Sequence, residues 1–227
     1  MSCYAVVPAR AGSNRILSKN IKELNGYPLI YYTIKTAIEA DIFDEVYVNS
    51  DSETILDISV MYGASPYRRP EELGSGSVFV IDVVKNMLSS FANHDYVAVL
   101  LPTCPLRNSS DLRGAYSLFE DNEYSIPLAS VTDFDTPIQL AQFINDSGRL
   151  EPFFKEDYKK STRSVGHSSF YRFNEAVVID SVAGFYEHSN LIGDNPLPYY
   201  MPPERSLMID YMYQFDLVEA ILKNASK

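Results

Sequence analysis

Long hydrophobic runs are missing from this 227-residue sequence, and no stretch approaches the roughly 20 apolar residues that a bilayer-spanning helix needs. The chain enters a short apolar strand at once, which leaves no room for a signal peptide. Cysteine is also scarce. Cys3 and Cys104 fall in a predicted strand and a predicted loop, and they form neither a CxxC pair nor a disulfide framework. We therefore expect a soluble cytoplasmic protein.

Positive charge is in short supply as well. The sequence has 19 Lys and Arg against 30 Asp and Glu, a formal net charge of −11. This balance argues against general affinity for nucleic acid or an anionic membrane, so an anionic ligand must meet a local cluster of cations. With 46% hydrophobic and 22% charged residues, the composition is typical of a globular protein, and we predict a single domain over residues 1–227.

Strand and helix patterns alternate along the first half of the chain. The predicted strands are 3–7, 45–49, 96–101 and 125–131, and the predicted helices are 28–40, 52–62, 77–92 and 111–122. The pattern resumes after residue 169 with a strand at 174–179 and a helix at 212–223. Such alternation predicts an α/β fold with a mostly parallel sheet between two helix layers. Ligands of such folds bind at the carboxyl ends of the strands.

The stretch 5–20, AVVPARAGSNRILSKN, places a cation-bearing loop directly after the first strand. It contains one glycine, so neither GxGxxG nor GxxxxGK[ST] is present. Small residues supply backbone N–H groups, and fixed cations neutralise phosphate charge. Arg10, Arg15 and Lys19 are the candidate cations. The alternative is a surface loop whose basic residues are merely solvated.

Three segments resemble signatures of the acylneuraminate cytidylyltransferases. The first loop is similar to A-R-x-G-S-K-x-x-x-x-K-N, although Asn14 replaces the first Lys; residues 100–112, LLPTCPLRNSSDL, resemble L-Q-P-T-S-P-L-R-x-x-x-D-I; and RRPEEL resembles R-R-P-x-x-L. The resemblance implies a Rossmann-like three-layer nucleotidyltransferase fold. It also implies an enzyme that joins CTP to a nonulosonic (sialic-type) acid and releases pyrophosphate. The implied nucleotide-binding residues are Ala9, Arg10, Ala11, Gly12, Ser13, Asn14, Arg15, Lys19, Asn20 and Arg69.

A catalytic metal, Mg²⁺ or Mn²⁺, is also implied by this resemblance. The family's D-I-D-T-x-x-D-F holds the metal through its first two Asp residues, and it aligns with residues 208–215. Here the first Asp is Met208, so Asp210 remains as the predicted metal ligand. The implied catalytic residues are Arg10, Lys19 and Asp210. The alternative for Asp210 is a helix N-cap.

The sugar side departs more from the family. Its implied residues are Leu101, Thr103, Arg163, Tyr171, Asn174, Phe185 and Tyr186. Leu101, Val165 and Gly166 stand where the family has polar contacts, and Glu175 stands where it has Gly. For Phe185 and Tyr186 the alternative is a simple core position. The resemblance further implies that the polar stretch 133–169 is an inserted dimerisation arm of a homodimer.

Two other functions stay open. The substrate could be a different sugar acid, such as a legionaminate. Asn14 and Met208 also allow a catalytically weakened homologue that binds nucleotide or a partner enzyme.

Overall fold

The structure is a computed structural model that describes residues 2–13, 15–92, 95–160 and 170–225, and a seven-stranded sheet forms its centre. In chain order its strands are β1 (Cys3–Pro8), β2 (Glu23–Leu24), β3 (Tyr27–Pro28), β4 (Glu45–Ser50), β5 (Ser65–Arg68), β6 (Tyr96–Val99), β7 (Leu128–Asp133), β8 (Gln142–Ile144), β9 (Leu150–Pro152), β10 (Tyr171–Ser181) and β11 (Leu197–Tyr200). The central sheet has the order β11-β7-β10-β6-β1-β4-β5, while β2–β3 and β8–β9 form separate two-stranded sheets.

Most neighbours in the sheet are parallel. β1 pairs in parallel with both β4 and β6, β4 with β5, and β7 with β11. β10 lies antiparallel between β6 and β7. The mostly parallel sheet predicted from the alternation of strands and helices is therefore confirmed.

Helices cover both faces of this sheet. They are α1 (Leu29–Ala40), α2 (Glu53–Met61), α3 (Val80–Leu88), α4 (Ser109–Asp121), α5 (Lys155–Lys160), α6 (Val182–Glu187) and α7 (Met212–Ala225). Buried residues of α1, α2 and α4 share one core cluster, those of α3 and α6 share a second, and α7 packs in a third beneath the first loop. None of the described helices is long and apolar enough to cross a membrane.

The central strand β1 shows why the sheet is buried on both sides. Ala5 and Val7 pack in the cluster on the α1 side, whereas Val6 packs against the α3 side, and all three are fully buried. A near-continuous apolar run is what a strand covered by two helix layers requires. The predicted three-layer α/β fold is thus confirmed.

Capping side chains fix the starts of two helices that follow strands. The Ser52 hydroxyl accepts a hydrogen bond from the Ile55 N–H at the start of α2. At α4, the Asn108 and Asp111 side chains each accept from the other's backbone N–H, forming a capping box. Each cap satisfies N–H groups that the first turn leaves free.

The structure differs from the sequence predictions at several elements. The predicted helix 77–92 is shorter, β10 begins earlier than predicted, and β5, α6 and β11 were not predicted. β5 and β11 each contain a proline and alternate half-buried with exposed residues, so they lack the apolar run of a central strand. Both lie at the edges of the sheet, where proline is tolerated.

The predicted arm, 133–169, begins at the end of β7. Its described part holds a short 3₁₀ turn (Ile138–Leu140), the β8–β9 hairpin and α5. Residues 161–169 lie outside the described residues. Over residues 134–160 the predicted arm is thus built of short elements, and its role in dimerisation stays a prediction.

Both cysteines are buried and free. Burial raises the pKa of the Cys3 thiol and of the Cys104 thiol to about 12. Each remains protonated near neutral pH, so neither is a nucleophile.

Candidate active site

A cavity of about 440 Å³ opens where β1, β5 and β6 end. This volume is typical of sites for small molecules. The residues that follow these strands form its walls, as expected for an open parallel sheet. The cavity is lined by Pro8, Arg10, Gly12, Ser13, Arg15, Lys19, Asn20, Arg69, Leu73, Ser75, Gly76, Val78, Val80, Val83, Leu101, Pro102, Thr103, Glu175 and Asp210.

The first loop (residues 9–18) is held through the peptide group between Arg10 and Ala11. The side-chain amide of the buried Asn20 donates to the Arg10 carbonyl at 3.0 Å. The Ala11 N–H donates to Asp51 Oδ1 at 2.9 Å, just beyond the end of β4. Both bonds fix the peptide group that follows the Arg10 Cα, and with it the base of the Arg10 side chain. The predicted residue Asn14 lies outside the described residues.

Gly76 gives the Arg10 side chain its space. A Cβ at position 76 would lie 2.9 Å from Arg10 Nη1, closer than ordinary contacts allow. The glycine therefore lets the guanidinium lie against the backbone at position 76.

Asp210 is paired with two cations of the first loop and the turn that follows it. Lys19 Nζ lies 3.3 Å from Asp210 Oδ1 and donates to the Ile209 carbonyl at 2.7 Å. Arg15 Nη1 lies 3.5 Å from Asp210 Oδ2, and its guanidinium sits over the Tyr211 ring. The loop and the segment before α7 are thus joined by charge.

The start of α7 is capped by Gln214 rather than by the Asp210 carboxylate. Gln214 Oε1 accepts from the Asp210 N–H at 2.7 Å and from the Tyr211 N–H at 2.9 Å. The Asp210 carboxylate is directed to Lys19 and Arg15 and lines the cavity. This geometry favours a site role over the N-cap alternative.

Arg69 forms a buried cationic wall. Its side chain donates to the Asn49 carbonyl at 2.6 Å and to the Leu73 carbonyl at 3.3 Å, and 4% of the residue is exposed. Burial lowers the pKa of this guanidinium. Its Nε has no hydrogen-bond partner among the described residues.

The opposite wall is formed by Leu101, Pro102, Thr103 and Glu175. The Thr103 hydroxyl donates to Glu175 Oε2 at 3.4 Å, and the Thr103 carbonyl accepts from the Ile209 N–H at 2.9 Å. Burial and the nearby Asp210 carboxylate raise the pKa of the Glu175 carboxyl. Glu175 was not among the predicted site residues; its signal in the sequence is the replacement of a glycine in the aligned signature.

Met208 stands where the aligned signature has its first Asp, and its side chain is packed against neighbouring residues. It is half-buried against the core, and Arg172 Nη1 lies 3.7 Å from its sulfur. Among the residues that the structure describes, no three His, Cys, Asp or Glu side chains cluster as a metal site.

The structure brings most predicted nucleotide-side residues to the cavity, together with Leu101 and Thr103. Ala9 and Ala11 do not line it and contribute backbone, since the Ala9 N–H donates to the Asn49 carbonyl at 2.9 Å. Arg163 lies outside the described residues. Tyr171 is exposed on β10, where its ring contacts Tyr200 edge-on.

Three predicted sugar-side residues lie elsewhere. Phe185 is 0% exposed and packs in the core beside α3, which corrects the expectation that its ring contacts the sugar. Asn174 is also fully buried. Its side-chain amide accepts a hydrogen bond from the Ser130 hydroxyl and donates one to the Ser206 hydroxyl, so it organises the backbone and cannot reach a ligand. The Tyr186 hydroxyl donates to the Lys85 carbonyl on α3, away from the cavity lining.

Comparisons with known proteins agree on one family. The sequence profile described as Cytidylyltransferase matches residues 4–197. An N-acylneuraminate cytidylyltransferase of Escherichia coli O18:K1:H7 is 32% identical over 223 residues, which are 98% of this chain and 52% of that protein. A pseudaminic acid cytidylyltransferase of Campylobacter jejuni is 30% identical over 228 residues, with 98% of this chain and 97% of that protein covered.

The fold has counterparts among solved structures. The structure of CMP:2-keto-3-deoxy-manno-octonic acid synthetase complexed with CTP has a TM-score of 0.72 at 13% identity, covering 99% of this chain and 100% of that one. The chain spans about half the length of the E. coli relative and nearly all of the C. jejuni relative. These findings confirm the resemblance inferred from the signatures, and the chain belongs to the cytidylyltransferase family.

Proposed function

We propose that this protein transfers CMP from CTP to the anomeric hydroxyl of a nonulosonic acid and releases pyrophosphate. The observation that carries the proposal is the charge of the cavity. Arg10, Arg15, Lys19 and Arg69 all line it, in a chain whose net charge is −11. A triphosphate is the ligand that such a local cluster suits. Because the chain belongs to the cytidylyltransferase family, we take this triphosphate to be CTP.

In the proposed reaction, the anomeric oxygen attacks the α-phosphorus of CTP. The bond from that phosphorus to the bridging oxygen breaks, and pyrophosphate leaves. Arg10 and Lys19 stabilise the negative charge that develops on the phosphate oxygens, because fixed cations in a partly closed site need no reorganisation. Arg69 lies on the base side, and Leu101 and Thr103 lie on the sugar side. We keep Arg163 as the proposed partner of the sugar carboxylate.

We further propose Mg²⁺, or Mn²⁺ in its place, as the cofactor. The donor set fits: Asp210 offers a partly exposed carboxylate at the cavity wall, and Mg²⁺ is commonly bound by one or two carboxylates together with substrate phosphates and water. When bound, the ion would neutralise phosphate charge. The ion pairs with Lys19 and Arg15 hold the Asp210 carboxylate at the cavity wall, where it would bind the ion.

The assembly that we propose is a homodimer of single-domain chains joined through the arm, residues 133–169. The arm's hairpin carries exposed apolar side chains, including Ile144 at 72% and Leu150 at 68% exposure. Surface of this kind is suited to burial against a second copy. The cytoplasm is the proposed compartment, in keeping with two free thiols.

The test is pyrophosphate release by the purified chain with CTP, Mg²⁺ and a panel of nonulosonic acids that includes N-acetylneuraminate, pseudaminate and a legionaminate. We expect release that needs CTP, the divalent ion and at least one acid of the panel. ATP, GTP and UTP serve as nucleotide controls. Nucleotide binding without release for any acid would instead support the weakened homologue, the second candidate, which Met208 motivates.

A further inference from the structure

Glu175 has a backbone conformation that a glutamate adopts at a cost. Its φ is +60°, in the left-handed region that favours glycine. The residue lies where the pairing of β10 with β7 shifts register, between Phe173 and Val178. Such bulges redirect a side chain, and strained residues cluster at functional sites. Here the redirected side chain lines the cavity.

Neighbouring side chains hold this bulge in place. Asn174 Oδ1 accepts from the Ala176 N–H at 3.2 Å and from the Ser130 hydroxyl at 2.6 Å. The Asn174 amide donates to the Ser206 hydroxyl at 2.9 Å. All of these groups are buried, so the backbone on either side of Glu175 is held by a fixed network.

The Glu175 carboxylate lines the cavity on the same wall as Thr103. The Thr103 hydroxyl donates to Oε2, and within the part of the chain that the structure describes Oε1 accepts no hydrogen bond. The titratable and charged groups that face it are Cys104 after β6, Arg172 on its own strand, Lys19 after the first loop and Asp210 before α7. Among the described residues none forms an ion pair with Glu175, and Lys19 pairs with Asp210. Burial raises the pKa of the Glu175 carboxyl, so this carboxylate is a better proton acceptor than an exposed one.

We propose that Glu175 is the general base of the nucleotidyl transfer. Its carboxylate takes the proton of the anomeric hydroxyl while that oxygen bonds to the α-phosphorus and the bond to the leaving pyrophosphate breaks. The proton then passes from Glu175 to water. The inference rests on the proposed function, and it adds the group that completes the proton balance of that reaction.

The first test compares Glu175→Gln with the wild type. Loss of a general base should lower kcat by about 10²–10⁴-fold, with the Kd for CTP unchanged in calorimetry. In the wild type, kcat should fall tenfold per pH unit below the pKa of Glu175, and Glu175→Gln should lack this acidic limb. An active wild type with an equally active Glu175→Gln overturns the inference alone. A wild type inactive with every acid of the panel overturns the proposed function and this inference with it.

Mn²⁺ binding, measured by electron paramagnetic resonance, distinguishes a metal-ligand role for Glu175 from the role of general base. General-base action predicts that Glu175→Gln leaves the Mn²⁺ affinity unchanged and that excess Mn²⁺ does not restore kcat. Weakened Mn²⁺ binding with kcat restored by excess Mn²⁺ overturns the assignment as base.

The left-handed backbone supplies a matched control for folding. Glu123 also has a positive φ, +55°, and is exposed in the turn after α4. Glu175→Gly and Glu123→Gly should both raise the Tm, because glycine adopts this φ without strain. Only Glu175→Gly should lose activity. A Glu175→Gly variant as active as the wild type would overturn the proposal.

Discussion

At the scale of single residues, the cations of the cavity carry the first prediction. Arg10→Ala and Lys19→Ala should each lower kcat by about 10²-fold or more, the effect of losing one contact to transition-state charge. Steady-state pyrophosphate release measures this. Lys22→Ala is the control, since Lys22 lies over the Phe215 ring and does not line the cavity. Unchanged turnover of folded Arg10→Ala and Lys19→Ala variants would remove the first loop from the site.

Leu101 carries the second prediction, which concerns the choice of sugar. Its side chain offers the cavity apolar contact, so the site should prefer an acid with a less polar face, such as a deoxy or additionally acylated one. The preference should be graded, because a methyl or methylene group in an apolar site is worth about 1–3 kcal/mol. Leu101→Gln should shift the ratio of kcat/KM values towards N-acetylneuraminate.

The affinity for CTP is the control for Leu101→Gln, and we expect it to stay unchanged. Equal use of N-acetylneuraminate and a deoxy relative by the wild type would contradict this interpretation of the sugar side.

Residues differed in how well the sequence predicted their places. Arg10, Lys19 and Arg69 follow strands in motifs with charged side chains, and the structure brings them to one cavity. The sequence pattern around Phe185 is the same for a ligand contact and for a core position, because an aromatic side chain suits both. Glu175 was overlooked because the bulge that directs it depends on the buried Asn174 network, which joins segments distant in the chain.

At the scale of elements, an ion pair between a half-buried arginine and a buried carboxylate links α4 to the segment that leads to Asp210. Arg205 donates through Nε and Nη2 to Asp111, whose side chain is 1% exposed, at 2.8–3.2 Å. Arg205→Met should lower the free energy of unfolding by about 3 kcal/mol, because it leaves a buried carboxylate without its cation. Urea denaturation measures this change.

An exposed pair on α7 provides the control for Arg205→Met. Lys223→Met breaks the contact of Lys223 with Glu219, and it should cost at most about 0.5 kcal/mol. Equal effects of the two substitutions would contradict the role assigned to the Arg205–Asp111 pair.

The central strands β1, β4 and β6 could be predicted because their apolar runs are a local signal. The direction of β10 could not, since an apolar strand reads the same whether its neighbours run with it or against it. The predicted start of α4 was two residues late, although Asn108 and Asp111 form a capping box that marks its start. Element type thus followed from local pattern, while direction depended on contacts distant in sequence.

At the scale of the whole molecule, the charge is divided between surface and site. The chain has 11 more acidic than basic residues, yet the cavity gathers four cations against the carboxylates of Glu175 and Asp210. A negative surface disfavours unspecific binding to nucleic acid, while the cavity keeps its attraction for a triphosphate. Both properties suit an enzyme of free nucleotides.

The last prediction concerns assembly through the arm. Ile144→Lys with Leu150→Lys should convert a dimer into monomers at micromolar concentration, because charge on exposed apolar side chains of the β8–β9 hairpin opposes burial against a second copy. Deletion of residues 134–162 should have the same effect and lower activity, since the arm is expected to complete the site of the partner. Sedimentation equilibrium measures the mass. Val60→Lys with Met61→Lys is the matched control, because these two are exposed apolar residues of α2 outside the arm, and it should remain a dimer. A wild type that sediments as a monomer at micromolar concentration would refute the assembly, because no interface would then exist for the arm to form.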